Sequence, residues 1–337
     1  MSPRQPARTI RQDFHAIFNI FAALLALIAA VWPGTSAAQY PARPVRLVIA
    51  FAAGGPGDST GRLVAPRLSE IWGQQIVIDN RAGANSIVGS EIVARAPSDG
   101  YTLLLISAGF AINASLYPKL SYDPIRDFTP VAPVTFGPSM FVVHPSVPVR
   151  TLKDIIALAK SKPGALTYGS SGAGAPSSHL GMELIKINAG IDIVHVPYKS
   201  MAPALTDVLG GQVHMAIPTI NVTLPHVRTG RLRAIGVTSK QRSPAVPDIP
   251  TIAEQGMPGY EANNWYAIMA PAGLPASIAD KIHADVARVV QSSDMRNRMA
   301  SLGMEARTMP PAEFVDYLKS EIVKWARVVK ASGARPE

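Results

Sequence analysis

The chain of 337 residues contains no cysteine. Disulfide bonds, thiolate metal sites, cysteine nucleophiles and a lipid-modified cysteine anchor are therefore all excluded. Its histidines are dispersed, with no pair at the His-x-x-x-His spacing of a helical zinc site, so no metal site is expected. The basic residues form no run of five and are not interleaved with aromatic residues. Nucleic acid is therefore not an expected partner.

Acidic residues are scarce, with 23 Asp and Glu against 32 Lys and Arg, and the net charge is +9. Residues 1–38 contain three arginines and one aspartate, so their removal leaves +7. An excess of this sign favours anionic ligands or an anionic membrane surface through long-range attraction. The hydrophobic content of 47% is enough to fill the core of one large domain or two ordinary ones.

The apolar run near the N-terminus, residues 20–31, is too short to span a bilayer core of roughly 30 Å. Three arginines precede this run, and Ser36 and Ala38 fit the −3 and −1 positions of a cleavage site. Residues 1–38 are therefore predicted to be a signal peptide, which makes the mature protein periplasmic. An uncleaved membrane anchor is the alternative.

Beyond residue 38, strand-like and helix-like segments alternate in two series. The first series begins at Val45 and has the order β-α-β-α-β, which predicts a mostly parallel sheet covered on both faces. A proline-rich stretch, residues 122–138, interrupts the alternation before the second series begins at Met140. Two long amphipathic helices, 276–302 and 311–331, follow near the C-terminus. The pattern predicts an α/β fold.

Two turns rich in glycine and serine, residues 51–62 and 168–179, each join a strand-like run to a helix-like run. Such turns present backbone N–H groups and the positive end of a helix dipole to an anion. The first lacks the last glycine of a dinucleotide fingerprint, because Thr60 stands there, and neither contains a P-loop lysine. No nucleotide cofactor is therefore expected. Asp58 or Ser59 is interpreted as the N-cap of the helix after the first turn.

An exported serine hydrolase is the alternative interpretation of the second turn, with Ser171 as nucleophile and His179 or His195 as base. The segment from Gly169 to Gly172 does not match the Gly-x-Ser-x-Gly spacing of a nucleophile elbow. Serine hydroxyls without an activating base serve as hydrogen-bond donors, which suits carboxylate oxygens. A binding site is therefore favoured over an enzyme.

Three further polar residues, Ser107, Asn113 and Tyr198, fall at or after the ends of predicted strands. Ligands of open α/β sheets bind at the carboxyl ends of strands, so these side chains are candidate ligand contacts. For Tyr198, packing at the rim of the site is the alternative.

Short motifs in a fixed order carry a family resemblance. They include Gly54-Gly55-x-x-Asp58, Asp99-Gly-Tyr-Thr-Leu103, Ser177-Ser-His-Leu180, His195-Val-Pro-Tyr-Lys199 and Leu224-Pro-His226. With these motifs the chain resembles the Bug-type extracytoplasmic solute receptors of tripartite tricarboxylate transporters, over nearly all of its length after residue 39.

The resemblance implies a two-lobed type II periplasmic-binding-protein fold with a ligand cleft between the lobes. Residues 39–140 together with 264–337 would form lobe 1, and residues 141–263 would form lobe 2. It also implies capture of a small carboxylate, through backbone N–H groups and bridging waters, for delivery to membrane transporter subunits. A monomer without a cofactor is expected. A ligand sensor that uses the same cleft is the alternative to a transport receptor.

The resemblance also maps ligand-binding residues onto both turns. In lobe 1 they are Ala53, Gly54, Gly55 and Asp58, and in lobe 2 they are Ser171, Gly172, Ser177 and Ser178. Ser107 and Asn113 would flank the ligand near the crossing between the lobes.

Two prolines depart from the family pattern. Pro218 and Thr219 stand where family members often carry Asp-Asn, which removes a carboxylate from the cleft wall. Pro56 removes one N–H donor from the first turn. Without that carboxylate, we expect the site, including Pro218, to favour a purely anionic or neutral ligand over one that carries an ammonium group.

Overall fold

The computed structural model of the protein describes residues 40–172 and 174–336. The chain divides into two compact units, Met1–Ala42 and Arg43–Glu337, and every element described below belongs to the second. The predicted signal peptide, residues 1–38, lies outside the described residues. None of the helices in the described part of the chain has the length and apolar character needed to cross a membrane.

Two sheets contain the strands of the described chain. The strands are β1 (Val45–Ile49), β2 (Ile76–Asn80), β3 (Thr102–Ser107), β4 (Phe128–Gly137), β5 (Met140–Val143), β6 (Thr167–Ser170), β7 (Val194–Pro197), β8 (Met215–Ala216), β9 (Arg233–Val237), β10 (Asn264–Pro271) and β11 (Glu305–Ala306). The first sheet has the order β11-β4-β10-β3-β1-β2, and the second has the order β7-β6-β8-β5-β9.

Helices connect most of these strands. They are α1 (Pro56–Trp72), α2 (Ile87–Ala94), α3 (Gly109–Leu116), α4 (Leu152–Ser161), α5 (Gly181–Ala189), α6 (Met201–Leu209), α7 (Ile220–Arg228), α8 (Ala276–Gln291), α9 (Ser293–Ser301) and α10 (Pro311–Ser332). A π-helical turn, Pro176–Leu180, leads directly into α5. The alternation of strands and helices confirms the predicted α/β class.

The first sheet is mixed. Strands β1, β2 and β3 are parallel to one another, as the β-α-β-α-β pattern predicted. β10, β4 and β11 join them through antiparallel pairings. The prediction of a mostly parallel sheet is therefore wrong for the sheet as a whole, because it did not include the strands that are added after the first series.

Strand β4 lies inside the proline-rich stretch that the sequence marked only as an interruption. Pro130 and Pro133 are opposite Met269 and Ala267 of β10. The register between these strands shifts between Ile268 and Met269 and again between Tyr266 and Ala267. Irregularities of this kind accommodate residues that cannot donate to the ladder, so two prolines are compatible with a paired strand.

The chain passes twice between the two sheets. It leaves the first sheet after Gly137 and enters the second at Met140, and it re-enters the first at Asn264. Gly137 and Asn264 are paired with each other at the ends of β4 and β10. Thr238 ties these segments together, since its Oγ1 accepts a bond from the Ser139 N–H at 2.8 Å and its N–H donates to the Ser139 carbonyl at 2.9 Å.

Two helix predictions need correction. The helix expected to follow the first turn, residues 51–62, begins inside that turn at Pro56, because proline at the first helical position lacks only an N–H that has no intrahelical acceptor. Pro66 lies inside this helix and faces the exposed side, where water can satisfy the freed carbonyl. The single helix predicted over 276–302 is two helices, α8 and α9, because Ser292 caps the second by accepting the Met295 N–H at 3.3 Å.

Helix α10 carries the predicted apolar stripe into the core beside β10. Phe314, Leu318, Trp325 and Val329 are buried. Glu321 is also buried, and its Oε2 accepts the indole N–H of Trp265 at 3.2 Å and that of Trp325 at 3.0 Å. Lys324 forms an ion pair with the same carboxylate. This carboxylate holds α10 against the start of β10, where the chain returns to the first sheet.

Replacing Glu321 by alanine should leave two buried indole N–H groups without an acceptor and remove the carboxylate that pairs with Lys324, which would keep only its bond to the Glu261 carbonyl. We expect Glu321→Ala to lower the free energy of unfolding by about 3 kcal/mol in urea denaturation. The matched control is Glu313→Ala, an exposed glutamate of the same helix, which should cost less than about 1 kcal/mol. Equal losses in the two variants would show that the buried carboxylate does not hold α10 in place.

Candidate ligand-binding site

The first glycine turn connects β1 to α1. The helix has Gly55 as its N-cap, not Asp58 or Ser59 as predicted, because the helix already begins at Pro56. Asp58 lies in the first turn of the helix and is buried, and its Oδ2 accepts the Gly54 N–H at 2.9 Å. Gly54 has φ +82°, a conformation that favours glycine. The carboxylate therefore fixes the turn from inside.

The Asp58 carboxylate has further partners within its own half of the chain. Arg62 donates to Oδ2 at 2.8 Å, and the Asn80 amide donates to Oδ1 at 2.9 Å. Hydrogen bonding to Arg62, with smaller effects of the Gly54 N–H and Asn80, lowers the pKa of Asp58 from 3.8 to about 2 although burial opposes the shift. Asp58 is thus an ionised structural anchor of the turn.

The residues predicted to flank the ligand lie near the start of α3. The Ser107 hydroxyl accepts the Gly109 N–H at 3.3 Å. Asn113 is fully buried, and its amide exchanges two hydrogen bonds with Asn85, at 2.7 Å to the side chain and 2.8 Å to the backbone carbonyl. Asn85 lies between Ala84 and Ser86, and all three have positive φ angles. The Asn113 side chain therefore holds a strained turn.

The second glycine turn follows β6 and places its serines in hydrogen-bonded pairs. The hydroxyls of Ser171 and Ser178 lie 3.0 Å apart, and the Ser171 N–H donates to Ser178 Oγ at 3.3 Å. Ser177 Oγ accepts a bond of 3.0 Å from Ser139, which lies on the first crossing between the sheets. Gly172 has φ +108°. The hydroxyls of the turn therefore lie beside the hydroxyl of Ser139 on the crossing.

Beneath this turn lies a stack of aromatic rings. Tyr168 stacks on His195 with ring centroids 4.8 Å apart, and His195 stacks on His179 at 4.2 Å. His179 Nδ1 accepts the Gly174 N–H at 3.0 Å, so this ring nitrogen carries no proton. Tyr168 donates to Glu183 at 2.6 Å. The stack is a rigid base for the serine turn.

The hydrogen bonds do not match the predicted hydrolase arrangement. His195 Nε2 lies 2.7 Å from Ser170 Oγ, and Ser170 is fully buried. Ser171, the proposed nucleophile, is paired with Ser178 instead. His195, one of the two candidate bases, is therefore bonded to the buried Ser170 and not to Ser171, the candidate nucleophile.

Tyr198 follows the edge strand β7 of the second sheet, and Pro218 lies just beyond its central strand β8. The Tyr198 hydroxyl donates to Asp207 of α6 at 2.5 Å, and burial, together with that carboxylate, raises the pKa of Tyr198 to about 12. Pro218 is buried, and its carbonyl accepts the Met140 N–H at 2.8 Å. Tyr198 thus contributes its hydroxyl to local structure.

A cavity of about 330 Å³ lies at the serine turn. Four predicted ligand-binding residues line it, namely Ser171, Ser177, Ser178 and Pro218. The other predicted residues, Ala53, Gly54, Gly55, Asp58, Ser107, Asn113, Gly172 and Tyr198, are not among its lining residues in the described chain. The structure therefore brings together four of the six predicted residues that fall within 141–263.

Several residues of the cavity wall were not predicted from the sequence. Two belong to the crossings, Ser139 and Asn264, and the others are Ala175, Pro176, Met201, Ala202, Leu205, Ile217, Thr219 and Val222. Ser139 and Asn264 occur outside any motif, so only the pairing of the two crossings places them at the site. Pro176, which starts the π-helical turn, lies within the serine turn, so that turn was the sequence signal that could have identified it.

Three helical segments begin at this cavity without a side-chain cap. They start at Pro176, Met201 and Ile220, and residues from each first turn or N-cap line the cavity. The first N–H groups of a helix have no intrahelical acceptor. An anion in the cavity would therefore meet N–H donors and the positive ends of α6, α7 and the segment leading into α5.

Comparisons with known proteins identify the class to which the chain belongs. A protein from R. palustris, Rpa4515, solved with adipate, has 37% sequence identity and a TM-score of 0.72 over 89% of this chain and all of that chain. MatC (Rpa3494) from Rhodopseudomonas palustris, solved with bound malate, has 32% identity and a TM-score of 0.67 over 86% of this chain and all of its own. These likenesses define the class of protein: an α/β solute-binding receptor of the type II periplasmic-binding-protein fold, two-lobed with a cleft between the lobes, as predicted.

The family follows from the sequence comparisons. BugT of Bordetella pertussis is 35% identical over 322 residues, which cover 95% of this chain and 97% of BugT. The profile described as "Tripartite tricarboxylate transporter family receptor" matches residues 60–334. The chain belongs to this family of transporter receptors. The predicted Bug-type resemblance is confirmed, and the relatives are solute-binding receptors and not hydrolases.

The environment of Asp58 predicts how stability depends on pH. Because the folded pKa lies below the unfolded one, the carboxylate stabilises the fold above pH 4 and loses this effect as the pH falls toward 2. Asp58→Asn should cost no more than about 2 kcal/mol at pH 7, and the gap to the wild type should close near pH 2. Urea denaturation at several pH values measures the gap.

The control for this experiment is Asp248→Asn, which removes the same formal charge from an exposed position. It reports the effect of net charge alone. A gap between wild type and Asp58→Asn that stays constant from pH 7 to pH 2 would contradict the assignment of Asp58 as an ionised anchor.

Proposed function

We propose that this receptor binds a small carboxylate in the 330 Å³ cavity, with the carboxylate held by the serine hydroxyls and the helix starts. The observation that carries the proposal is the convergence of three uncapped helical segments on one cavity. The relatives solved with adipate and malate support the same ligand chemistry. Binding requires no side-chain chemistry, which suits a receptor.

The serine hydroxyls have a defined donor capacity. Each hydroxyl carries one hydrogen. Ser139 donates its hydrogen to Ser177, and one hydrogen is shared within the pair of Ser171 and Ser178. The hydrogen of Ser177 and one from the other pair are therefore left to donate. Two donors match the two oxygens of a carboxylate, and such charge-assisted bonds are stronger than neutral ones.

The lobes and the transporter partners are part of the same proposal. Residues 39–140 with 264–337 act as lobe 1 and residues 141–263 as lobe 2, and lobe 1, through Ala53, Gly54 and Gly55, closes over the ligand. The partition of strands between the two sheets supports this division. Closure excludes water from the carboxylate, and the closed monomer then delivers the ligand to membrane transporter subunits.

The predicted export signal completes the proposal. Residues 1–38 direct the chain to the periplasm, where receptors of this family operate. The charge pattern and the cleavage-site residues of this segment support export. Transport, in preference to sensing by the same cleft, is supported by the family to which the chain belongs.

Removing the Ser177 hydroxyl tests the site directly. Ser177→Ala deletes one donor and leaves Ser139 without its acceptor, so carboxylate affinity should fall about tenfold to a hundredfold. The mature protein is refolded to remove any ligand carried through purification. Binding of a panel of small aliphatic and aromatic carboxylates is then measured by thermal stabilisation and calorimetry.

The control is Ser161→Ala, which removes an exposed hydroxyl at the end of α4 and should leave affinity unchanged. No stabilisation of the wild type by any carboxylate of the panel would refute the proposed function. Equal affinity of wild type and Ser177→Ala would place the carboxylate elsewhere.

A further inference from the structure

We infer that the cavity selects organic acids with a single carboxylate on an uncharged hydrocarbon body. The side chains that hold this body are Met201, Leu205, Ile217 and Val222, here called the apolar subsite. The inference rests on the proposed function, because it takes the carboxylate to be bound at the serines.

The described residues of the cavity wall include no ionisable side chain that could form an ion pair with a second charge. Its polar side chains, among the described lining residues, are hydroxyls and one amide, and none is titratable. An ammonium group seated among the apolar side chains would lose its hydration without gaining an anionic partner, and a second carboxylate would compete with the first for the same hydroxyls and helix starts. The cavity wall therefore disfavours any ligand with charges at both ends.

The apolar subsite is built on the rigid part of the second sheet. Leu205 of α6 and Ile217 after β8 are both buried, and Leu205 belongs to a core cluster with Met140, Val142 and Ala216. Val222, in the first turn of α7, is 44% exposed. A hydrocarbon body in the cavity would cover this exposed side chain. Each added methylene that the subsite buries should improve affinity about fourfold.

The opposing half of the chain offers few spare donors to a second carboxylate. The Gly54 N–H is already bonded to Asp58, and the Gly109 N–H to Ser107. Asn113 Nδ2 donates to the Asn85 carbonyl. The Gly54 N–H and the Asn113 amide, two of the groups that the resemblance maps to the ligand, are therefore engaged within their own half.

The cavity is large enough for a small organic acid. Its volume of about 330 Å³ is at the lower end of the range of small-molecule sites. A short aliphatic chain or a single aromatic ring therefore suits the apolar subsite.

A pair of isosteric acids tests this selection. Glutarate and 5-methylhexanoate have the same arrangement of non-hydrogen atoms, and they differ in that a carboxylate replaces an isopropyl group. With refolded, ligand-free mature protein, 5-methylhexanoate should bind at least about tenfold more tightly than glutarate in calorimetric titration. Heptanoate should likewise bind more tightly than its isostere 6-aminohexanoate.

The outcomes separate the inference from the proposed function. Glutarate binding as tightly as 5-methylhexanoate, or more tightly, would overturn the apolar subsite while a carboxylate receptor stands. Absence of binding by either acid and by the whole carboxylate panel would overturn the proposed function, and the inference with it.

A lysine in the apolar subsite should reverse the preference. Val222→Lys places an ammonium group beside the cavity, so glutarate should gain at least about tenfold and 5-methylhexanoate should lose affinity. The control is Val323→Lys, which adds the same charge at a 72% exposed valine of α10 and should change neither affinity. An unchanged ratio of affinities in Val222→Lys would contradict the assignment.

An isosteric variant covers the case in which Val222→Lys fails to fold. Val222→Thr keeps the shape of the side chain and adds a hydroxyl. It should weaken 5-methylhexanoate binding severalfold and leave glutarate binding unchanged or improved. Equal weakening of both acids would indicate a general disturbance of the cavity, and would contradict a role of Val222 in selection.

Discussion

The N–H groups at the starts of three helical segments impose the main constraint on this protein. These groups have no intrahelical acceptors, no side chain caps them, and residues at all three starts line one cavity. Such donors need water or an anion as a partner. Because none of the described lining residues is ionisable, an anionic ligand can serve as the partner of these N–H groups. The serine hydroxyls then add directional hydrogen bonds to the electrostatic attraction between the helix starts and an anion.

The rest of the structure holds these donors in place. The aromatic stack of Tyr168, His195 and His179 lies under the serine turn. The paired crossings bring Ser139 and Asn264 to the same cavity. Thr238, which follows β9, is hydrogen-bonded to Ser139 of the first crossing. On the other side of the crossing, the buried carboxylate on α10 secures the start of β10. The aromatic stack, the two crossings and the buried carboxylate of α10 therefore all support the cavity wall.

Sequence reasoning predicted the parts of the structure that depend on local chemistry. The parallel strands β1 to β3 follow the predicted β-α-β-α-β pattern, because each is a short apolar run. It missed β4, because Pro130 and Pro133 argue against a strand unless a distant partner has irregular register. It also misplaced the start of α1, where Pro56 was read as a lost donor and not as a helix start.

The site shows the same division between local and distant information. Ser171, Ser177 and Ser178 share one turn, so a local motif was enough to group them. Ser139 and Asn264 are more than a hundred residues apart along the chain and carry no motif, so only the folded crossings reveal them. The role of Asp58 depends on both kinds of information, since Gly54 and Arg62 lie four residues away and Asn80 lies on β2.

The most direct test of this account is a crystal structure of the mature protein with 5-methylhexanoate. The account predicts that the carboxylate oxygens lie within hydrogen-bond distance, about 2.5–3.2 Å, of Ser177 Oγ and of Ser171 or Ser178 Oγ. It also predicts that the hydrocarbon end contacts Val222 and Leu205. A carboxylate bound at Ala53 to Gly55 with the serines unoccupied, or a ligand outside the cavity, would contradict it.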